Sequence, residues 1–514
     1  MNGADSLVQT LLDGGVDVCF TNPGTSEMHF VAALDRHHGM RCVLGLQENV
    51  VTGAADGYAR MLDKPASTLL HTGPGLANGF ANLHNAKRAF QPIINIVGDH
   101  ATYHVKYDSP LTSDIEGIAA PVSGWVRTSK SSTEVASDAA EAIQFANTAP
   151  GGISTLILPA DTAWGEANGP AKTPAAPTPQ MPGAGQIRAI AEIIKSGEPV
   201  LVLAANRALR VDGLELLSKI TDDEAVSLLA QVSNARVERG AGRVAIDRVK
   251  YPVDQSLVQL AGYKHLILVA AKEPVAFFAY PEKPSRMMPD GCQVHTLVER
   301  EEDVIGALDA LVAELGVGAH TIRTPQPLLP AMPTRGMDQD IIAAILANMI
   351  PENAIICDES ITTGRRFFTD TFTSKPHSWL QITGGAIGAG LPLATGAAIA
   401  CPDRPVITLQ ADGSAMYTLQ ALWTQAREGS NTTTLIFSNR SYKILIGEMA
   451  NVGVQNPGPK AFDMMELDRP PLDWVALAKG MGVEAGTAAD AGELARQMER
   501  GLACDGPYLI EVIL

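Results

Sequence analysis

Short, wholly apolar runs that alternate with amphipathic segments constrain the fold of this chain more than any other feature. The runs have the length of strands, and apolar residues at every position indicate strands buried on both faces of a sheet. The segments between them, such as Asp338–Met349, have the spacing of helices that cover such a sheet. The pattern predicts an α/β protein built from doubly wound parallel sheets. The predicted strands are Val16–Phe20, Arg41–Leu46, Ser67–His71, Ile93–Val97 and Ser154–Leu158, then Val200–Leu203, Ala225–Leu229, Leu266–Val269 and Val294–Leu297, then Ala354–Cys357, Val406–Leu409 and Thr433–Phe437.

Two proline-rich passages divide the sequence into pieces of ordinary domain size. Dense prolines cannot lie inside helices or central strands, so both passages are predicted to be extended linkers. A chain of 514 residues is long enough for about three domains. We expect these domains at 1–165, 186–318 and 336–514. The passages are Gly165–Gly185, with Pro170, Pro174, Pro177, Pro179 and Pro182, and Thr324–Gly336, with Pro325, Pro327, Pro330 and Pro333.

Charge and composition argue against several classes of protein. The formal net charge is −17, whereas a protein that binds nucleic acid needs a basic face. No apolar stretch reaches the ~20 residues of a membrane span, and Met1–Asp5 lacks the basic and apolar regions of a signal peptide. The six cysteines never form a C-x-x-C pair, which is typical of reduced thiols. We therefore expect a cytoplasmic protein without nucleic-acid or membrane partners.

Polar residues follow two of the predicted strands in the last domain. Asp412 comes shortly after one buried run, and Asn439 comes shortly after the next. In an open parallel sheet, ligands bind beyond the carboxyl ends of the strands. Carboxylate, amide and carbonyl oxygens suit magnesium, while Gly413 permits close backbone approach and Ser414 can donate to a phosphate. An Asp-Gly-Ser turn alone is an ordinary loop, but the matching asparagine favours a site for a metal and a phosphate.

Glu48 lies at a similar position in the first domain. It follows a predicted buried strand and begins a helix. A glutamate there interacts favourably with the helix dipole, which is a purely structural explanation. The functional alternative is a carboxyl group that holds a proton against a heterocyclic nitrogen.

Taken together, these motifs resemble the family of thiamine-diphosphate-dependent 2-oxo acid decarboxylases and synthases. Its members include acetolactate synthase, benzoylformate decarboxylase and pyruvate decarboxylase. The resemblance covers essentially the whole chain and is strongest to short acetolactate synthase large-subunit homologues. It implies a pyrimidine-binding N-terminal domain, a central domain and a diphosphate-binding C-terminal domain. The motifs that carry it include Asn22–Glu27, Ala55–Arg60, Gly73–Gly75 and Gly384–Gly388.

The resemblance assigns roles to individual residues. Glu48 corresponds to the glutamate that activates the cofactor, the Gly385 carbonyl would hold the pyrimidine amino group, and Ile387 would fix the bent shape of the cofactor. Asp412, Asn439 and the carbonyl of Ser441 correspond to the ligands of Mg²⁺. The residues that would contact the diphosphate are Thr362, Gly413, Ser414 and Tyr442. One departure is Ala411, where the family usually has glycine; we expect less room there but not lost binding.

The subfamily signals are mixed. Gly73-Pro74-Gly75 resembles acetolactate synthase. His71 and Thr25 instead occupy positions where benzoylformate decarboxylase has a catalytic histidine and a substrate-binding serine. His71 would relay protons, as an imidazole can, or would simply cap a strand end.

Other residues of interest are more often structural. His29, His84 and His100 share the first domain. Phe277 and Phe278 could wall a substrate pocket, but ordinary core packing is the expectation. The central domain has no glycine-rich dinucleotide fingerprint, so we do not expect FAD.

The sequence is interpreted as an acetolactate-synthase-like lyase or transferase that decarboxylates a 2-oxo acid and ligates carbon. One alternative is a benzoylformate-like decarboxylase that releases an aldehyde. Another is a non-catalytic homologue that acts as a binding or regulatory subunit, although retention of Glu48, Asp412 and Asn439 argues against it. The resemblance implies a homodimer or homotetramer whose active sites are shared between chains.

Overall fold

The computed structural model describes residues 1–325 and 328–514, so Pro327 of the second predicted linker lies outside the described residues. The described residues form three sheets of six, five and seven strands, which follow one another along the chain except for one short strand, and helices cover them. Every predicted run overlaps one of their strands, although the first strand begins at Val18 and not at Val16. The predicted α/β fold with three sheet domains is confirmed.

The first sheet is entirely parallel, and its strand order is β2-β1-β3-β4-β6-β5. The strands are β1 Val18–Asn22, β2 Arg41–Leu44, β3 Ala66–His71, β4 Ile93–Asp99, β5 Trp125–Thr128 and β6 Ile153–Pro159. The helices are α1 Gly3–Asp13, α2 Met28–Arg36, α3 Glu48–Leu62, α4 Thr72–Asn78, α5 Phe80–Arg88, α6 Ile115–Ala119, α7 Val135–Asn147 and α8 Ala160–Trp164, with short 3-10 helices at Thr25–Glu27 and Val105–Tyr107.

The second sheet is also parallel, in the order β10-β8-β7-β11-β12. The strands of this region are β7 Val200–Ala204, β8 Val226–Ala230, β9 Val237–Arg239, β10 Asp247–Arg248, β11 His265–Val269 and β12 Gln293–Val298. The helices are α9 Ala184–Lys195, α10 Val211–Ile220, α11 Val253–Leu260 and α12 Val304–Leu315, with a 3-10 helix at Asn206–Leu209.

The third sheet has the order β17-β18-β16-β15-β13-β14-β9. The strands are β13 Ile355–Glu359, β14 His377–Gln381, β15 Val406–Ala411, β16 Thr432–Ser438, β17 Glu484–Ala488 and β18 Tyr508–Ile513. The helices are α13 Gln339–Met349, α14 Phe367–Asp370, α15 Gly390–Ala400, α16 Asp412–Ala415, α17 Ala421–Glu428, α18 Lys443–Asn451, α19 Pro459–Asp463, α20 Trp474–Gly480 and α21 Ala491–Ala503. Strand β9 comes from the segment expected to be central and pairs antiparallel with β14. The third sheet is therefore parallel except at this edge, where the second region is tied into it.

The first and third domains pack closely through α3 and α15. A Cβ added to Gly57 would lie 2.1 Å from the carbonyl oxygen of Leu393, and one added to Gly396 would lie 1.8 Å from that of Ala54. Side chains larger than hydrogen would push the two helices apart. The glycines therefore let the two backbones touch, which fixes the domains against each other.

A buried arginine joins all three regions. Arg60 donates to both carboxylate oxygens of Asp56, at 2.8 and 2.7 Å, and both side chains are almost fully buried. It also donates to the carbonyls of Ala235 (3.1 Å) and Gln381 (2.6 Å) and to the hydroxyl of Thr383 (3.2 Å). The motif Ala55–Arg60 thus has a structural explanation in this chain.

All six cysteines are free, and three of them, Cys19, Cys292 and Cys357, are buried. Within 1–325 and 328–514, no helix combines the length and hydropathy needed to cross a membrane.

Candidate active site

Asp412 and Asn439 lie side by side at the carboxyl ends of the neighbouring strands β15 and β16. The Asp412 carboxylate accepts hydrogen bonds from the backbone N–H groups of Gly413 (2.8 Å) and Arg440 (2.6 Å). The Asn439 side-chain oxygen accepts one from the N–H of Ser441, at 3.0 Å. Burial raises the pKa of Asp412 although the backbone donors oppose it. A bound cation would offset this unfavourable burial of negative charge.

The surroundings of this corner fit a metal and a diphosphate. The Ser441 hydroxyl is buried and has no hydrogen-bond partner among the described residues. A Cβ added to Gly413 would lie 2.5 Å from Cε1 of Tyr442, so glycine is needed for that ring to pack there. Thr362 follows β13 in a loop whose preceding residue, Ile361, has φ +50°. A β-branched residue in this left-handed region is strained, and such strain concentrates at functional sites.

A glycine loop, Gly384–Gly388, connects β14 to α15 and carries Gly385 and Ile387. Gly385 has φ +77°, a conformation that favours glycine. Ile387 is half-buried, so part of its side chain faces open space. The predicted roles of Gly385 and Ile387 toward a cofactor remain predictions.

Glu359 holds this loop from the side of the third sheet. Its buried carboxylate accepts hydrogen bonds from the N–H groups of Gly388 (2.6 Å) and Gly390 (2.5 Å) and from Gln410 (3.1 Å). Gln410 also donates to the hydroxyl of Ser414, at 2.6 Å. Burial raises the pKa of Glu359. Glu359 was not predicted, but a carboxylate at the end of a buried strand was the available signal.

Helix α5 of the first domain forms hydrogen bonds to the same loop from the other side. Asn85 donates to the carbonyl of Ala386 (2.7 Å) and accepts from its N–H (3.2 Å). Asn82 donates to the carbonyl of Gly388 (3.1 Å), and His84 Nε2 lies 3.2 Å from the loop's first carbonyl oxygen. Both asparagines are buried. Sequence reasoning missed them, because nothing local links them to a loop about 300 residues away.

Glu48 is the first residue of α3 and is buried. Gln47 caps this helix by accepting from the backbone N–H groups of Asn49 (2.6 Å) and Val50 (3.2 Å), so Glu48 itself is not the cap. Its carboxylate accepts a hydrogen bond from the side-chain amide of Asn78, at 3.1 Å. Glu48 is therefore held within its own domain while keeping acceptor capacity for another group.

His71 ends strand β3 and is paired with Glu27. His71 Nδ1 lies 3.0 Å from both carboxylate oxygens, and the Glu27 side chain is fully buried while the histidine is half-buried. Glu27 also accepts from the N–H of Gly24 (2.7 Å) and from the hydroxyl of Ser26. A Cβ added to Gly24 would lie 2.2 Å from the His71 ring, so this turn requires glycine. Thr25, next to it, is exposed.

Glu27 is a second residue that sequence reasoning missed. It lies within the motif Asn22–Glu27, yet only the fold brings it to His71. A carboxylate at Nδ1 orients the ring and leaves Nε2 on the side of the ring away from it. The arrangement suits a histidine that holds or moves a proton.

The chain divides the predicted site residues into two groups. Thr25, Glu48 and His71 belong to the first sheet, and the others belong to the third. Within 1–325 and 328–514, no hydrogen bond joins a member of one group to a member of the other. Helix α5 reaches the glycine loop of its own chain, but it does so with residues that were not predicted.

Phe277 and Phe278 are exposed, so the expected core packing is wrong. Their relative exposures are 52% and 57%. A Cβ added to Gly385 would lie 2.7 Å from Cζ of Phe277. The central region therefore places an aromatic ring beside the glycine loop.

The fold and this geometry define a three-domain α/β protein with buried polar residues at the carboxyl ends of parallel strands, the edge at which such sheets bind ligands. Residues 1–119 match the N-terminal TPP (thiamine pyrophosphate, or thiamine diphosphate) binding domain of thiamine pyrophosphate enzymes. Residues 365–512 match the C-terminal TPP binding domain. The chain belongs to the thiamine-pyrophosphate-dependent enzymes, and the predicted family is confirmed.

Individual relatives cover the chain almost completely. It is 47% identical to the Mycobacterium tuberculosis protein "Putative acetolactate synthase large subunit IlvX", over 100% of this chain and 99% of that protein. It is 28% identical to benzoylformate decarboxylase of Pseudomonas aeruginosa, over 97% of this chain and 96% of that protein. Among solved structures, a thiamine-diphosphate-dependent 4-hydroxybenzoylformate decarboxylase of Rhodococcus jostii RHA1 has the same fold, with a TM-score of 0.85 at 24% identity over 99% and 98% of the chains.

Proposed function

We propose that this enzyme breaks and makes a carbon–carbon bond next to the carbonyl of a 2-oxo acid, as an acetolactate synthase does. The observation that carries the proposal is the corner of Asp412 and Asn439, two side-chain oxygen donors on adjacent strand ends beside the Ser441 hydroxyl, which has no hydrogen-bond partner among the described residues. The likeness to IlvX supports the synthase type.

The residues of the third sheet fit thiamine diphosphate with Mg²⁺. Asp412, Asn439 and the carbonyl of Ser441 would bind the metal, since hard oxygen ligands suit it. The diphosphate would contact Thr362, Gly413, Ser414 and Tyr442. The Gly385 carbonyl would accept from the pyrimidine amino group, and Ile387 would support the rings. When bound, the cofactor supplies the electron sink for carbon–carbon cleavage.

The residues of the first sheet would handle protons and the substrate. Glu48 would share a proton with the pyrimidine ring, since a buried carboxyl group close to a ring nitrogen exchanges protons readily. Thr25 would donate to the substrate carboxylate. His71, oriented by Glu27, would transfer a proton between its Nε2 and the reacting carbon or oxygen.

A second candidate function is simple decarboxylation that releases an aldehyde. The His71–Glu27 pair favours it, because a poised acid–base group beside the substrate can protonate the carbon that loses carbon dioxide. The relation to benzoylformate decarboxylase agrees with it.

A product assay separates these functions. Incubate the protein with thiamine diphosphate, Mg²⁺ and single 2-oxo acids, and analyse the products by mass spectrometry. A 2-hydroxy-3-oxo acid formed from two substrate molecules identifies a synthase, and an aldehyde identifies a decarboxylase. Glu48→Gln is the matched inactive control. Tight cofactor binding without turnover of any acid would favour a non-catalytic homologue.

We also propose that the enzyme is a homodimer or homotetramer with sites shared between chains, in the cytoplasm. Within the described residues no hydrogen bond joins Glu48 to the proposed metal ligands, and the family resemblance implies sites formed by two chains. The test mixes inactive Glu48→Gln and Asp412→Ala chains under conditions of subunit exchange. Hybrid dimers regain one intact site only if sites are shared, so absent activity despite confirmed exchange contradicts the proposal.

The enzyme is proposed to need no flavin. A dinucleotide binds in such sheets where the strand order reverses, which here is between β7 and β11. Asn206 follows β7, and its side chain donates to the carbonyl of Ala270, which follows β11, at 2.8 Å. Full turnover by protein whose visible absorption spectrum lacks flavin tests this.

A further inference from the structure

The exposed aromatic residues of the central region lie on a well-fixed hairpin, residues 274–287. The N–H of Ala276 donates to the carbonyl of Ser285 (2.8 Å), and the N–H of Met287 donates to that of Pro274 (3.1 Å). Farther along, the Tyr280 hydroxyl donates to Glu448 of helix α18, at 2.7 Å. The hairpin is therefore anchored both internally and to the third domain.

Three aromatic rings form a continuous wall on this part of the molecule. The ring centroids of Tyr251 and Phe277 are 5.5 Å apart, and those of Phe277 and Phe278 are 5.0 Å apart. We call these three residues the aromatic wall. Their spacing is that of favourable ring–ring contacts, so the wall is held in place by its own packing. More than half of each phenylalanine nevertheless faces open space.

The aromatic wall stands directly at the proposed cofactor site. Phe277 approaches Gly385 so closely that any side chain at that position would collide with its ring. Gly385 is the residue whose carbonyl is proposed to hold the pyrimidine. A substrate reacting there would have the wall within reach of its side chain.

We propose that the aromatic wall selects 2-oxo acids with an aryl or other large apolar side chain over pyruvate. This inference rests on the proposed function and concerns the same site. The methyl group of pyruvate would leave both phenylalanine rings in water, whereas a phenyl group would cover them. Exposed apolar surface of this kind marks a binding site, and one added apolar group in such a pocket changes specificity by about 10-fold or more.

Binding is measured first, without turnover. Saturation-transfer NMR on the protein loaded with thiamine diphosphate and Mg²⁺ compares phenylacetate with propanoate, two unreactive acids. We expect phenylacetate to bind about 10-fold more tightly. Phe277→Ala should remove this preference, and Phe277→Leu, which keeps an apolar side chain, should retain part of it. Val275→Ala is the matched control, because Val275 lies on the same hairpin, is 64% exposed and is outside the wall.

Turnover is then compared for pyruvate, 4-methyl-2-oxopentanoate, benzoylformate and phenylpyruvate. In the unmodified protein we expect kcat/KM to be higher for the large acids than for pyruvate. Phe277→Ala should lower kcat/KM for the large acids about 10-fold, and Phe277→Leu should lower it severalfold. For pyruvate, kcat/KM should change less than twofold in either variant. A wild-type preference for pyruvate, with Phe277→Leu unchanged, overturns the inference and leaves the proposed function standing. Turnover of none of the acids overturns both.

Discussion

Removal of the Arg60 guanidinium should destabilise the protein strongly. The change Arg60→Met keeps an unbranched apolar stem but removes five hydrogen bonds: two to Asp56 and one each to Ala235, Gln381 and Thr383. Asp56, which is 2% exposed, then keeps a negative charge without a positive partner. Breaking a buried pair from one side costs about 3–5 kcal/mol, against about 5–15 kcal/mol for the stability of a whole domain.

The assay is urea unfolding followed by circular dichroism and by tryptophan fluorescence. The midpoint should fall in proportion to the lost free energy if the slope is unchanged. Arg36→Met is the matched control, because Arg36 is 49% exposed in its pair with Asp5 and pairs at the surface contribute about 0–1 kcal/mol. The double change Asp56→Leu with Arg60→Met should recover part of the loss, since it leaves no unpaired charge.

The pH dependence gives a further check. Burial raises the pKa of Asp56 even with Arg60 present. A carboxyl group whose pKa is higher in the folded than in the unfolded protein gains protons preferentially when folded, so its ionisation costs stability as pH rises. The defect of Arg60→Met should therefore shrink as pH falls. A loss below about 1 kcal/mol at neutral pH, no larger than that of Arg36→Met, would refute the reasoning.

Three other perturbations test separate parts of the structure. Asp412→Ala should abolish Mg²⁺-dependent binding of thiamine diphosphate in calorimetry, and unchanged affinity with and without chelator would contradict the metal assignment. Glu27→Gln should lower kcat about as much as His71→Ala, roughly 10²–10⁴-fold, if the carboxylate orients a proton-transferring histidine; a loss under tenfold in both argues for a structural pair. Burial lowers the pKa of His377 to about 3. Between about pH 6.5 and that value, the histidine is protonated in the unfolded chain and neutral in the folded chain. Stability should fall by up to about 1.4 kcal/mol per pH unit between those values, and His377→Gln should remove that share of the slope in unfolding curves.

The fold was predictable where the chemistry of each segment is local. Apolar runs buried on both faces have few alternatives to a parallel sheet, so they placed most strands. Strand β14 was missed because His377, Ser378 and Gln381 are polar, yet all three are buried. Strand β9 was missed because its pairing with β14 is decided by the third domain, not by its own residues.

The sequence by itself determined the family and the residue types at two separate strand-end sites. The order of the motifs identified the family, and polar residues after buried strands marked positions such as Asp412 and Glu48. The strand and helix positions need only neighbouring residues and a period of two or 3.6, whereas the family rests on the resemblance of the motifs.

Only the tertiary structure decided which residues support the site. Asn82 and Asn85 hold a loop about 300 positions later in the chain, and the hairpin of Phe277 meets Gly385 from another domain. No local pattern encodes such contacts, because hydrogen bonds and ring packing depend on distances of a few ångströms that exist only after the domains have packed. The exposure of Phe277 was misjudged for the same reason: apolar residues are usually buried, and only the assembled surface reveals an exception.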